Sequence, residues 1–172
     1  DLHRVLSDPA ILLAGQDEQG APALREALSG YMYETRGVHA AADNIVIGNG
    51  VTPLLRILGY ILRNKHSRIA VEEPGFRLGR EVFRSGGYEI VPLPLRDDGL
   101  DVDALAQADT GLVYVTPSHQ FPTGKVMPVG QRYKLLDWAV QEDGLIIEDD
   151  YDSELRYEGR PIPADRKSTR LN

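Results

Sequence analysis

Apolar and polar positions follow two periods along this chain, and the switches between them mark its elements. Pro22 opens a segment in which Leu24, Ala27, Leu28 and Tyr31 recur at helical spacing, and Gly37 closes it. Upstream, Leu2, Val5, Leu6, Ile11 and Leu12 suit a short helix over Asp1–Leu13 with a break near Pro9, and a loop follows through Gly20. From Ile45 the pattern becomes a regular exchange. The runs Ile45–Ile47, Arg68–Val71, Tyr88–Leu93, Leu112–Val115 and Leu145–Ile147 read as strands. Helical patterns lie between them, over 52–63, from past Gly75 to Ser85, over Val102–Ala106 and over 130–142. Strand–helix alternation with short connections predicts βαβ units and an α/β fold with a mainly parallel sheet.

Composition narrows the picture. At 172 residues, with 42% hydrophobic and 26% charged residues, the chain is long enough to bury a core. A net charge of −7 with no Lys/Arg-rich face gives no sign of a nucleic-acid surface. Without cysteine there is neither a disulfide framework nor a thiolate metal site, and His3, His39, His66 and His119 have no metal-ligand spacing. No metal is expected. No apolar run approaches the roughly 18 residues of a membrane helix, and no leader pattern is present, so the expectation is a cytoplasmic chain without a membrane partner. The first residue is Asp, and residues 165–172 are basic and aperiodic. They read as a non-native tail, or as a frayed natural one, and the whole as a piece of something longer.

The chemistry gathers where strands end. Ile47–Gly48–Asn49–Gly50–Val51–Thr52 is a glycine turn feeding a helix, whose amides and dipole favour a phosphate. It lacks the third glycine of a dinucleotide fingerprint, and Thr123–Gly124–Lys125–Val126 lacks the upstream glycine and the hydroxyl of a P-loop. Glu72–Glu73–Pro74–Gly75–Phe76 sets an aromatic just past a strand, suited either to stacking on a planar ligand or to plain packing. Thr116 to Gly124 (TPSHQFPTG) is a loop with two prolines and a glycine after an apolar strand, in which His119 reads as an anchor. Leu145 to Tyr157 (LIIEDDYDSELRY) passes abruptly from a buried strand into acids and Tyr151, at the sheet edge where α/β proteins bind ligands. A solvated acidic loop is the plainer alternative. Taken together, amides, an aromatic face and a carboxylate match a planar, phosphorylated, cationic ring, as in pyridoxal phosphate.

The order and spacing of these motifs, with Gly159–Pro163 after them, resemble the class I/II aminotransferases of the fold type I pyridoxal-phosphate proteins. More narrowly, they resemble the aminotransferase-like domain of MocR/GabR-type transcription regulators. The resemblance runs from about Leu2 to Ala164. It implies a three-layer α/β domain, the N-terminal part of the large domain of that fold. Residues 1–164 would form a partial cofactor-binding domain, with a helical segment over 1–40 and part of the large domain over 41–164. By the resemblance, the backbone of Val51 and Thr52 holds the cofactor phosphate and Phe76 stacks on the ring. Asp149, with Asp150 as runner-up, pairs with the pyridine nitrogen, and Tyr151 hydrogen-bonds the phenolic oxygen. Gln120 is counted with the cofactor-binding residues, since it stands where many relatives carry an Asn that also bonds this oxygen, in a loop one residue longer. The loop before Gly20 has no Tyr, so a cross-subunit phosphate contact is not carried over. None of Lys65, Lys125, Lys134 or Lys167 sits where the family places its Schiff-base lysine, so no catalytic residue is assigned and this stretch alone is expected to be inactive. The implied partners are a small amine or amino acid, a second copy in a homodimer, and DNA only through an upstream module. A free-standing aminotransferase, moving amino groups between amino acids and 2-oxo acids, is the alternative.

Overall fold

Four parallel strands carry this fold, and each ends toward the same edge. In the computed structural model, residues 17–97 and 99–152 are described. The helix expected over Asp1–Leu13, the Gly159–Pro163 motif, Lys167 and the 165–172 tail lie outside them. The described residues fall into two units, one ending at Gly48 and one beginning at Asn49.

In the first unit, helix α1 (Pro22–Arg36) begins at its proline and ends at Gly37, whose φ of 65° lets it close the helix. The Gly37 and Val38 amides donate to the Tyr33 and Met32 carbonyls at 3.0 and 3.1 Å. Its buried residue is unexpectedly Arg25, while Leu24 and Tyr31 are exposed. The Arg25 guanidinium donates to the Gly20 and Ala42 carbonyls and to Asp17 Oδ2, tying the preceding turn to a 3-10 turn at Ala42–Asn44. The strand expected over Ile45–Ile47 does not form. Among the described residues no strand lies beside it, and its Ile47 amide donates instead to the Gln19 carbonyl at 2.8 Å.

The second unit runs α2 (Val51–Leu62), β1 (Arg68–Glu73), α3 (Arg77–Ser85), β2 (Glu89–Arg96), β3 (Gly99–Leu100), α4 (Val102–Ala106), β4 (Leu112–Val115), α5 (Val129–Gln141) and β5 (Leu145–Glu148). The sheet order is β3-β2-β1-β4-β5, with β2, β1, β4 and β5 parallel and β3 antiparallel to β2. Side chains alternate across β1 and β4, as strand geometry requires. Ile69, Val71, Leu112 and Tyr114 pack with Leu55, Val82 and Phe83 of α2 and α3. Ala70, Val113 and Val115 pack on the other face with Val102, Leu105, Leu135 and Trp138 of α4 and α5. The expected three layers are there, with the mainly parallel sheet in the middle.

Strand β2 is longer than its apolar run, reaching Arg96 through Pro92 and Pro94. Residues pointing their amides toward β1 begin with Glu89, which donates to the Ser67 carbonyl at 3.0 Å. Both prolines therefore fall on the alternate positions, which face away from β1, where no ladder donor is needed. The Pro94 carbonyl on that side accepts from the Asp101 amide at 3.2 Å.

Asp101 then caps α4, its Oδ1 accepting from the Ala104 amide at 3.1 Å while Oδ2 meets Arg96. Burial pushes its carboxyl upward, but the Ala104 amide and Arg96 outweigh this and hold it below the usual carboxylate range. Asp101→Ala is expected to lower stability by about 1 kcal/mol in chemical denaturation. The depressed value means that this contribution is present above the unfolded-state value and lost as pH falls through the folded one. The wild-type advantage over the variant should therefore shrink in acid.

Candidate functional site

Strand order reverses between β1 and β4: the chain goes from β1 outward to β2, then returns to lay β4 on the other side of β1. Ligands of open α/β sheets bind at the carboxyl ends flanking such a point. Three of the sequence motifs leave the sheet here. Glu72 ends the buried part of β1, Thr116 follows β4, and Asp149 follows β5.

The β1 and β4 ends are tied by one buried carboxylate. Glu72 Oε2 accepts from the Thr116 amide at 3.2 Å, the Thr116 hydroxyl at 2.7 Å and Gln120 Nε2 at 3.3 Å. Burial raises the Glu72 carboxyl above its ordinary value, against the lowering effect of these bonds. The Thr116 hydroxyl in turn accepts from the Phe121 amide at 3.1 Å. Gln120, 3% exposed, organises the loop around it. Its Nε2 also donates to the Pro74 and Phe121 carbonyls at 2.9 and 2.6 Å, and its Oε1 accepts from the Thr123 amide and hydroxyl at 3.1 and 2.6 Å. The peptide bonds Glu73–Pro74 and Phe121–Pro122 are cis.

Above this base lies a run of rings. Phe76 meets Phe121 edge-on at 5.8 Å, Phe121 meets Tyr151 edge-on at 6.2 Å, and His119 stacks on Tyr151 at 5.8 Å and 16°. His119 Nδ1 is in hydrogen-bond contact with Asp152 Oδ2, which makes the anchor role of that histidine concrete. Tyr151 is 49% exposed, and burial, then Asp152 and Asp149, raise its phenol above the ordinary value, so it remains an O–H group at neutral pH. Asp149 extends the sheet through its amide, which donates to the Val115 carbonyl at 2.9 Å, and its Oδ2 accepts from the Tyr114 hydroxyl.

Val51 and Thr52 are the first two residues of α2. Gly50 precedes them with a φ of 118°, and no side chain caps the helix. Its first amides thus keep the positive end of the dipole open. One turn on, Leu55 shares the apolar cluster that holds Phe76 and Tyr114. The structure therefore gathers Phe76, Gln120, Asp149 and Tyr151 at one edge, with the α2 start joined to them through the core. Lys125 turns its ammonium to Asp97 at 3.3 Å, and Lys134 rides on α5, which packs against the opposite face of the sheet. Among the described residues no group of His, Asp or Glu could hold a metal ion, and no helix is long and apolar enough to cross a membrane.

Sequence reading gave no role to Glu72, Thr116 or Tyr114. Tyr114 reads as one more core residue of an apolar strand; its signal is a phenol within Leu-Val-Tyr-Val, since a buried phenol needs a partner.

The family model for aminotransferases of class I and II matches residues 9–159. The chain belongs to this aminotransferase family. It is 41% identical over 141 residues to the uncharacterized HTH-type transcriptional regulator YdeL of Bacillus subtilis (strain 168), covering 82% of this chain and 30% of that protein. It is 37% identical over 145 residues to the probable rhizopine catabolism regulatory protein MocR of Rhizobium meliloti, covering 84% and 29%. Kynurenine aminotransferase of Pyrococcus horikoshii, solved in complex with PMP, matches with a TM-score of 0.82 at 28% identity, over 94% of this chain and 42% of that one. The chain thus spans about three-tenths of the length of these two regulators, and its architecture is that of the fold type I aminotransferases.

Proposed function

We propose that this chain is part of a pyridoxal-phosphate-binding, aminotransferase-like domain that senses a small amine or amino acid in a MocR/GabR-type transcription regulator. The observation that carries the reading is the convergence of Phe76, Asp149 and Tyr151 at the carboxyl ends of parallel strands, with the uncapped helix α2 packed through Leu55 into the cluster that holds Phe76. This donor set fits the cofactor in kind. Amides of Val51 and Thr52 at a positive helix end suit its phosphate. The half-buried face of Phe76 suits its ring, the Asp149 carboxylate a protonated ring nitrogen, and the Tyr151 hydroxyl the ring oxygen. Bound there, pyridoxal phosphate supplies an electron-withdrawing ring able to take up an amine.

Gln120 acts in this reading from behind the site, since its amide is occupied by Glu72, Pro74, Phe121 and Thr123. The regulator would lie in the cytoplasm, pair with a second copy and reach DNA through a separate module upstream. Residues 1–164 would belong to its effector domain, and 165–172 would lie outside it. The likeness to a kynurenine aminotransferase favours a second reading, in which the whole protein transfers amino groups between amino acids and 2-oxo acids.

The test is to purify the full-length protein and record its visible absorbance with pyridoxal phosphate. A bound-cofactor band that shifts on adding an amino acid, without turnover of a 2-oxo acid, is expected. Steady amino transfer would favour the enzyme, and absence of the band would overturn both readings.

A further inference from the structure

Tyr114 is 3% exposed and sits in the middle of the sheet, its strand flanked by β1 and β5, with Val71 and Ile147 as neighbours in register. Its ring leans on Phe83 at 6.1 Å and on the backbone of α3 at Gly79. A Cβ at Gly79 would stand 2.9 Å from Phe76 Cδ1, so the glycine is what lets that ring close on the helix, and it would meet Tyr114 Cζ at 3.4 Å, an ordinary contact distance. With strands on either side and a helix over it, the ring has one orientation. Its hydroxyl ends against Asp149 Oδ2. Burial, then the bond to Asp149 and the charges of Asp149 and Glu72, push the phenol above its ordinary value. It is therefore a permanent donor to a carboxylate at the mouth of the candidate site.

We propose that Tyr114 is a positioning residue for Asp149, fixing the carboxylate through Oδ2 and leaving Oδ1 to the ligand's cationic nitrogen. The ligand part of this inference rests on the function proposed above; the fixing of Asp149 does not. A phenol–carboxylate bond is charge-assisted and among the stronger kinds of hydrogen bond. Phe at 114 would keep the packing and remove only the donor, leaving the carboxylate free to rotate.

The experiment is a double-mutant cycle in the full-length protein, with pyridoxal phosphate as probe. Tyr114→Phe is expected to weaken cofactor binding by about 10–100-fold and to move the pH midpoint of the bound cofactor's absorbance. In an Asp149→Ala background the same change should alter affinity by less than about twofold, the usual limit of additivity. Equal losses in both backgrounds, or no loss in either, would overturn the proposal. A crystal structure of cofactor-free Tyr114→Phe judges the fixing of Asp149 independently of any ligand. A new Asp149 rotamer supports it, and an unchanged one defeats it. Failure of the wild type to bind cofactor would instead sink the reading of function, with the crystal structure still deciding the role of Tyr114.

Discussion

Glu72→Ala is expected to lower the stability of the intact protein by about 3 kcal/mol, the scale for leaving buried donors without an acceptor. Two donors would be stranded. The Thr116 amide and hydroxyl both point at Glu72 Oε2, in a place where Thr116 is 1% exposed. Gln120 would suffer less, because its amide has the Pro74 and Phe121 carbonyls as further acceptors. Glu72→Gln should behave differently, since a single carbonyl oxygen can stand where Oε2 accepts all three bonds. The two variants therefore separate the loss of an acceptor from the loss of a charge. They also differ in pH response. Burial raises the Glu72 carboxyl in the folded state, so its contribution favours folding most below the unfolded-state value and is lost as pH rises through the folded one. The Gln amide does not titrate. In thermal melts at acid and neutral pH, the stability of Glu72→Gln relative to wild type should rise with pH, and a constant difference would refute the account.

How much of this was legible in the sequence depends on which interaction fixes each element. Where one face or one punctuating residue decides, the reading held: Pro22 and Gly37 bound α1, Val102–Ala106 forms the short α4, and Leu112–Val115 is the buried β4. Where a distant partner decides, it did not. Ile45–Ile47 has the composition of a strand, yet a strand exists only beside another one. Glu89–Arg96 outran its apolar pattern because its prolines face the side away from β1, a fact of register that no local window contains. The candidate site divides the same way. Phe76, Asp149 and Tyr151 announce themselves because polar or aromatic residues directly follow strands. The partners behind them do not: Tyr114 and Thr116 look like core, and Gln120 looks like a ligand group until its four loop contacts are seen.

Asp149→Ala is expected to weaken pyridoxal-phosphate binding by on the order of 100-fold, as when one partner of a hydrogen-bonded charge pair is removed. The carboxylate stands at the end of β5 with its backbone locked to Val115 and one oxygen held by Tyr114. A cationic ring nitrogen meeting it finds a counter-charge whose orientation has already been set before binding, which is where such a pair gains over one formed from mobile side chains. Removing it also leaves the Tyr114 hydroxyl buried without its acceptor, so Ala should lower stability by about 1–3 kcal/mol as well. Asp149→Asn separates the two effects, because its amide oxygen can still accept from Tyr114 while the charge is gone. Equilibrium dialysis of cofactor and thermal melts of both variants give the comparison. Both should bind weakly, but only Ala should melt markedly lower. Wild-type affinity in Asp149→Asn would mean that the charge is not what the ligand uses, and would turn attention to Asp150, the next acid in the same turn.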